Sequence, residues 1–207
     1  MATTARARKQ ETPRPRGAAR REALLEAVLR IVADVGADAV THRRVAEEAG
    51  LPLASTTYWF DSKEHLLTAA LEMAAERDTA RLLADVASRQ TGTDTQKGLI
   101  DASVGIIADS CGVGQPAGRR SLMATYALLL EAARRPALRE IAERWTEVYL
   151  LTLAQLLERA GSKRPREDAQ SLLGAADGLL LGQLATGAAS DLRPPLTRLA
   201  TALVNIP

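Results

Sequence analysis

Three groups of side chains have the type and spacing to do chemistry. The first lies in residues 41–63, where Thr41, Arg43, Arg44, Ser55, Thr56, Thr57 and Lys63 put hydroxyls and cations on two short segments. Backbone N–H groups at a helix start, beside Thr41 and Lys63, suit phosphate oxygens, and guanidinium groups suit phosphates or base edges. The second group is Cys111, Met123, Tyr126, Trp145 and Tyr149. Trp145 and Tyr149 stand i,i+4 and share a helix face. Aromatic rings with polar tips line and orient ligands in apolar cavities. Taken singly, each of the five also reads as ordinary core packing. The third group, Gly174, Gly178 and Gly182 with Leu181 and Ala185, performs no reaction. Each mid-helix glycine costs about 1 kcal/mol relative to alanine, so a ridge of three points to a backbone approached closely by another helix. That helix belongs either to a second copy or to the same chain.

Catalysis finds little support. There is one cysteine, Cys111, and there are two histidines, His42 and His65. No nucleophile–base–orienter set, metal-ligand cluster or phosphate loop is present. Gly112-Val113-Gly114-Gln115-Pro116 follows a helical pattern and reads as a connection. Cys111 beside it reads as a reactive thiol or as inert packing. The expectation is a chain that is not an enzyme and holds no metal and no cofactor. The alternatives are a helical scaffold or adaptor, or a thiol-dependent enzyme, without DNA binding.

The elements that must position these groups are helices. Only six of 207 residues are aromatic, and three of them, Tyr58, Trp59 and Phe60, are consecutive. The core is therefore mostly Leu, Ala and Val, which favours packed helices. Leu24, Val28, Ile31, Val32 and Val35 recur at helical spacing, and Gly36 stops that run. Thr41 caps a short helix ending at Gly50, Leu51-Pro52 makes a turn, and a third segment covers 53–59. Ser62 caps a long helix with Leu66, Leu67, Ala70, Leu71 and Ala74 on its inner stripe. Further helices are expected over 95–110, 119–134, 137–160, 166–188 and 195–204, separated by Gly92-Thr93-Asp94, by the 111–118 loop, and at Pro136 and Gly161. The fold class is all-α, with about nine helices.

Charge is uneven. Residues 1–21 carry +6 and the remainder −4. Residues 1–19, with Pro13, Pro15 and Gly17, read as a disordered basic arm, either for a polyanion or merely solubilising. No apolar run approaches the roughly 20 residues that span a bilayer, and the basic N-terminus lacks a secretory stretch. A cytoplasmic location and no membrane partner are the expectation.

The run Thr41-His42-Arg43-Arg44-Val45-Ala46-Glu47-Glu48-Ala49-Gly50, followed by Leu51-Pro52-Leu53-Ala54-Ser55-Thr56-Thr57-Tyr58-Trp59-Phe60-Asp61-Ser62-Lys63-Glu64, closely resembles the DNA-binding domain of the TetR family of bacterial transcriptional repressors. The likeness extends from about Arg20 to Leu71. It implies a helix-turn-helix domain over 20–67, joined through a long fourth helix to a helical effector-binding and dimerisation domain over 68–207. Carried over by position, Thr41, Arg43, Arg44, Leu53, Ala54, Ser55, Thr57, Trp59 and Lys63 would meet DNA. Trp59 has packing on the fourth helix as its alternative, and Arg44 a solvated charge. Val45, Ala46, Ala49, Leu51, Tyr58 and Phe60 would form the small core. Thr57 stands where many members place a tyrosine, and Leu51-Pro52 replaces the commoner Val-Ser; both bear on the operator sequence.

The resemblance weakens after about residue 75. It implies a homodimer built on the last two helices, with Gly174, Gly178, Leu181, Gly182, Ala185, Leu196, Leu199 and Leu203 at the interface. It also implies a palindromic double-stranded operator and an unidentified small-molecule effector held near Cys111, Met123, Tyr126, Trp145 and Tyr149. Asp101, Asp109 and Asp177 would complement a cationic effector if buried.

Overall fold

The computed structural model describes residues 15–89, 95–110, 116–188 and 190–206. Those residues form nine α-helices and no strand. They are α1 (Pro15–Val35), α2 (His42–Ala49), α3 (Leu53–Trp59), α4 (Lys63–Arg89), α5 (Gln96–Ser110), α6 (Pro116–Ala132), α7 (Pro136–Arg159), α8 (Pro165–Thr186) and α9 (Arg193–Val204), with a 3-10 turn at Ala37–Ala39 between α1 and α2. The all-α class and the order of elements are as expected. The first helix opens at Pro15, upstream of the boundary expected at Arg20, so residues 15–19 of the basic arm are helical. Arm residues 1–14, the loop residues 111–115 and the break at Gly92-Thr93-Asp94 lie outside the described residues.

Local chemistry sets the short elements. Thr41 holds an extended φ of −138°, and its hydroxyl accepts a hydrogen bond from the Arg44 N–H at 3.2 Å, capping α2. Gly50 ends α2 in the left-handed region at φ 63°, a conformation that costs glycine nothing. The chain then reverses, and the Leu51 N–H reaches the Ala46 carbonyl at 2.9 Å. The Ser62 hydroxyl accepts from the His65 N–H at 3.1 Å and starts α4.

Two hydrophobic cores result. The first joins α1, α2, Phe60 and the start of α4, and it continues into Leu128 of α6 and Leu138 and Ile141 of α7. The second joins Leu82 of α4 with α5, the end of α7, α8 and α9. Helix α4, with 27 residues, is about 40 Å long at 1.5 Å per residue and serves both. The cores part between Ala75 and Leu82 on α4 and between Ile141 and Leu153 on α7. The two cores therefore separate along α4 between Ala75 and Leu82. Salt bridges tie α1 to the rest across this seam: Arg77 of α4 pairs with Glu22 at 2.5 Å and with Glu26, and Arg120 of α6 pairs with Asp34.

Candidate nucleic-acid interface and ligand cavity

The head presents α3 on its surface. A helix advances about 100° per residue, so Leu53, Ala54, Thr57 and Tyr58 share one arc of α3, and Ser55, Thr56 and Trp59 the other. The outer arc is exposed throughout, with Tyr58 at 77%. Thr56 is fully buried and its hydroxyl donates to the Leu53 carbonyl at 2.8 Å, so its oxygen faces inward. Ser55 is half-buried. Trp59 is half-buried against the first core, edge-on to Tyr58 with ring centroids 5.0 Å apart. This corrects the expected placement of Tyr58 in the core, and Trp59 packs inward more than it projects. The reason is register: Trp59 lies one turn on from buried Thr56 and next to Phe60, which is 1% exposed, while Tyr58 lies one turn on from exposed Ala54. Val45, Ala46 and Phe60 are buried as expected, and Ala49 and Leu51 pack partly against the same core.

Around α3, Thr41, Arg43 and Arg44 are exposed at the start of α2. The Arg43 Nε donates to Glu47 Oε1 at 2.9 Å, a solvated i,i+4 pair of small energetic value. Lys63 is turned toward the protein: its Nζ donates to the Asp38 carbonyl at 2.9 Å and lies 3.6 Å from the Asp38 carboxylate. It fastens the turn between α1 and α2 to the start of α4.

Where the cores part, the helices leave a cavity of about 290 Å³. Tyr126, Trp145 and Tyr149 line it, together with Leu29, Leu122 and Leu173. Met123 is exposed and not on its wall, because it sits on the outer side of α6; Cys111 lies outside the described residues. Asp109 and Asp177 line the cavity, whereas Asp101 is a surface residue paired with Lys97 at 2.7 Å. Asp177 Oδ1 accepts from the Tyr126 hydroxyl at 2.8 Å, and burial pushes the Asp177 carboxyl above the ordinary aspartate value against that hydrogen bond. Asp78, which sequence reasoning missed, is 9% exposed on the wall. Its Oδ2 accepts from Tyr149 OH at 2.6 Å and from Trp145 Nε1 at 3.1 Å, and its Oδ1 lies 3.6 Å from Arg81. The signal was available: Asp78 interrupts the stripe Leu71, Ala75, Leu82 at a core position. Glu26 and Leu29 extend the wall onto α1, so the cavity touches the head directly. Among the described residues no His, Cys, Asp and Glu side chains gather as a metal site.

The glycine ridge of α8 faces open space. A Cβ built on Gly174, Gly178 or Gly182 would meet nothing within 4 Å, so no helix of the same chain crosses there. Ala185 is exposed beside it, Leu181 is 45% exposed, and Leu199 and Leu203 of α9 are half-buried. Leu196 is 1% exposed and belongs to the second core, so it has no surface to offer a partner.

Residues 24–70 match the family model described as "Bacterial regulatory proteins, tetR family", and residues 94–205 match the "Tetracyclin repressor-like, C-terminal domain". Among curated proteins, the HTH-type transcriptional regulator PksA of Bacillus subtilis (strain 168) is 33% identical over 70 residues, which is 34% of each chain. The likeness thus spans about a third of that relative. Among solved structures, a member of TetR family (SCO1917) from Streptomyces coelicolor A3 is 30% identical, with 90% of this chain and 99% of that one covered and a TM-score of 0.70. The multidrug binding protein EbrR, complexed with imidazole, is 29% identical over 98% and 99%, with a TM-score of 0.67. A transcriptional regulator (RHA1_ro04179) from Rhodococcus sp. Rha1 shares the fold, at 23% identity over 90% and 98% and a TM-score of 0.74. No described helix is long and apolar enough to cross a membrane.

Proposed function

Since this chain belongs to the tetR family of bacterial regulatory proteins and is a DNA-binding transcriptional regulator, we propose that it is a homodimeric repressor of a palindromic operator, released when a small molecule fills the cavity between its two cores. The observation that carries the reading is the exposed outer arc of α3, a helix face of the kind a major groove admits. Leu53, Ala54, Thr57 and Tyr58 form the reading surface, Thr41, Arg43 and Arg44 hold flanking phosphates, and Ser55 and Trp59 sit at its edge. The α8 ridge and the Leu199 and Leu203 face of α9 meet their copies across a twofold axis, so that two α3 helices address successive groove faces.

Release follows from where the cavity sits. Its wall includes Glu26 and Leu29 of α1 and Arg77, Asp78 and Arg81 of α4. A ligand that displaces α4 shifts the head on the same rigid rod, and the Arg77 pairs with Glu22 and Glu26 carry the motion to α1. Ligand and DNA then prefer different conformers, and each weakens the other by the same factor. EbrR, a relative complexed with imidazole, supports a small-molecule occupant.

The test is a mobility shift on the DNA upstream of the chain's own coding sequence at several salt concentrations. A retarded complex is expected, with Arg44→Ala reducing the slope of log K against log salt by about 1. A chain that retards no DNA under low salt overturns the reading.

A further inference from the structure

Helix α3 reads Leu53-Ala54-Ser55-Thr56-Thr57-Tyr58-Trp59, so it carries no guanidinium, ammonium, amide or carboxylate. In the major groove, guanine is read by a fork of two donors on O6 and N7, adenine by an amide on N6 and N7, and cytosine by a carboxylate on N4. The outward arc has none of these partners. Leu53 is 51% exposed, Ala54 is exposed next to it, and both end in methyl groups. Thr57 donates its hydroxyl to the Ala54 carbonyl at 3.3 Å, so it presents a methyl and an acceptor oxygen. Pro52, exposed just ahead of the helix, lengthens the apolar surface and has no N–H to give.

The cations nearby do not fill the gap. Lys63 is held by the Asp38 carbonyl and carboxylate, and Arg43 and Arg44 stand on α2, off the arc. Tyr58, at the end of the arc, adds a ring edge-on to Trp59 and one hydroxyl. One base edge matches such a surface: thymine, whose C5 methyl is the only methyl that the four bases put into the major groove. Packing methyl against methyl removes both from water and needs no directional partner. Guanine or cytosine in its place sets polar groups against Leu53 and Ala54, which cannot pair with them.

Resting on the reading of α3 as the operator-facing helix, we propose that Leu53, Ala54 and Thr57 read thymine methyl groups, and that each operator half-site carries at least two thymines at the centre of the α3 contact. The arginines of α2 set affinity through phosphates, and α3 sets sequence through methyls.

Selection of sites from a pool of random duplex DNA with the full chain, followed by binding titrations at fixed salt, tests this. Deoxyuridine at the central thymines keeps every base-pair hydrogen bond and removes only the methyls. It should weaken binding by about fourfold for each methyl that α3 meets, and so by about tenfold or more in total. Cytosine there should also weaken binding, and 5-methylcytosine should recover part of the loss. Leu53→Ala and Thr57→Ser, both changes on exposed side chains, should each shrink the deoxyuridine penalty at least twofold; a penalty that neither shrinks overturns the proposal. Equal binding of thymine and deoxyuridine sites by the unaltered protein, which requires no variant to fold, also overturns it, because the preference then follows groove shape, while the operator reading stands. Palindromic sites whose centres hold G·C pairs alone do the same. Methyl-sensitive sites without twofold symmetry support the proposal and break the homodimer reading instead. A pool that yields no enriched sequence overturns both.

Discussion

The two ends of α4 solve opposite problems. Its first turns close the head around Phe60, Leu66 and Leu67, all essentially inaccessible, and leave the arc of Leu53, Ala54, Thr57 and Tyr58 on the outside. Its middle passes Ala74, Arg77, Asp78 and Arg81 through a gap between cores and leaves polar groups inside. In the head, Thr56 bonds back to its own helix and Thr41 and Ser62 are caps, while His42 Nδ1 and Thr68 Oγ1 are buried without a partner. The middle keeps carboxylates away from water, which costs stability and leaves room for a ligand to repay it. A regulator needs both, since a face that reads DNA must hold its shape and a site that senses must be able to change.

The sharpest way to break the comparison is to set neighbours in the head against each other. Phe60→Ala removes a fully buried ring and should cost about 3–5 kcal/mol in denaturant unfolding. Tyr58→Ala, two residues away on the exposed arc, should change stability by no more than about 0.5 kcal/mol while weakening operator binding. If Tyr58→Ala destabilises as Phe60→Ala does, the outer arc is no free surface.

Next is the ridge at the far end. Gly178→Arg meets nothing within 4 Å in the chain itself, so the fold should persist. The charge would sit where a second copy closes, and light scattering should report a monomer. Operator affinity should fall by about 10²-fold or more, because the second half-site loses its tether. A Gly178→Arg dimer of unchanged affinity would move the interface elsewhere.

Within the cavity, Asp78→Ala removes the Oδ2 that accepts from the Trp145 N–H and the Tyr149 hydroxyl. Each unmade bond costs about 1–3 kcal/mol when buried, and the low end applies because both rings are half-buried. Thermal unfolding measures the loss, and a blue-shifted or broadened Trp145 emission should accompany it.

The sequence made the head legible because its signals are local. Thr41, Gly50, Pro52 and Ser62 are caps and turns whose consequences fall within a few residues, and the spacing around them carries the family likeness. The seven residues of α3 defeated the assignment of Tyr58 and Trp59, since three adjacent aromatics fit either register and only packing against α1 and α4 decides. Leu196 failed for the same reason: an apolar stripe marks a buried face but does not say whether the cover is the same chain or another. The cavity was half legible. Tyr126, Trp145 and Tyr149 stood out by type, yet Asp78 and Arg77 come from α4 some 67 and 68 residues before Trp145, and no local pattern announces that meeting. Asp78 showed only as an acid in an apolar stripe.

The smallest effect is the most diagnostic of the difference between the regions. Burial holds the Asp177 carboxyl above its ordinary value, so the folded protein binds its proton more readily than the unfolded chain does. Stability linked to Asp177 is therefore fully present below the unfolded aspartate value and declines as the pH rises through the raised folded one. At neutral pH the group is a burden on the ligand-free protein. Asp177→Asn keeps an acceptor for the Tyr126 hydroxyl and removes the charge, so Tm at neutral pH should rise slightly and its decline with rising pH should flatten. A Tm that falls for Asp177→Asn at neutral pH would mean that the carboxylate already has a counter-charge, and the gap between the cores would then be as settled as the head.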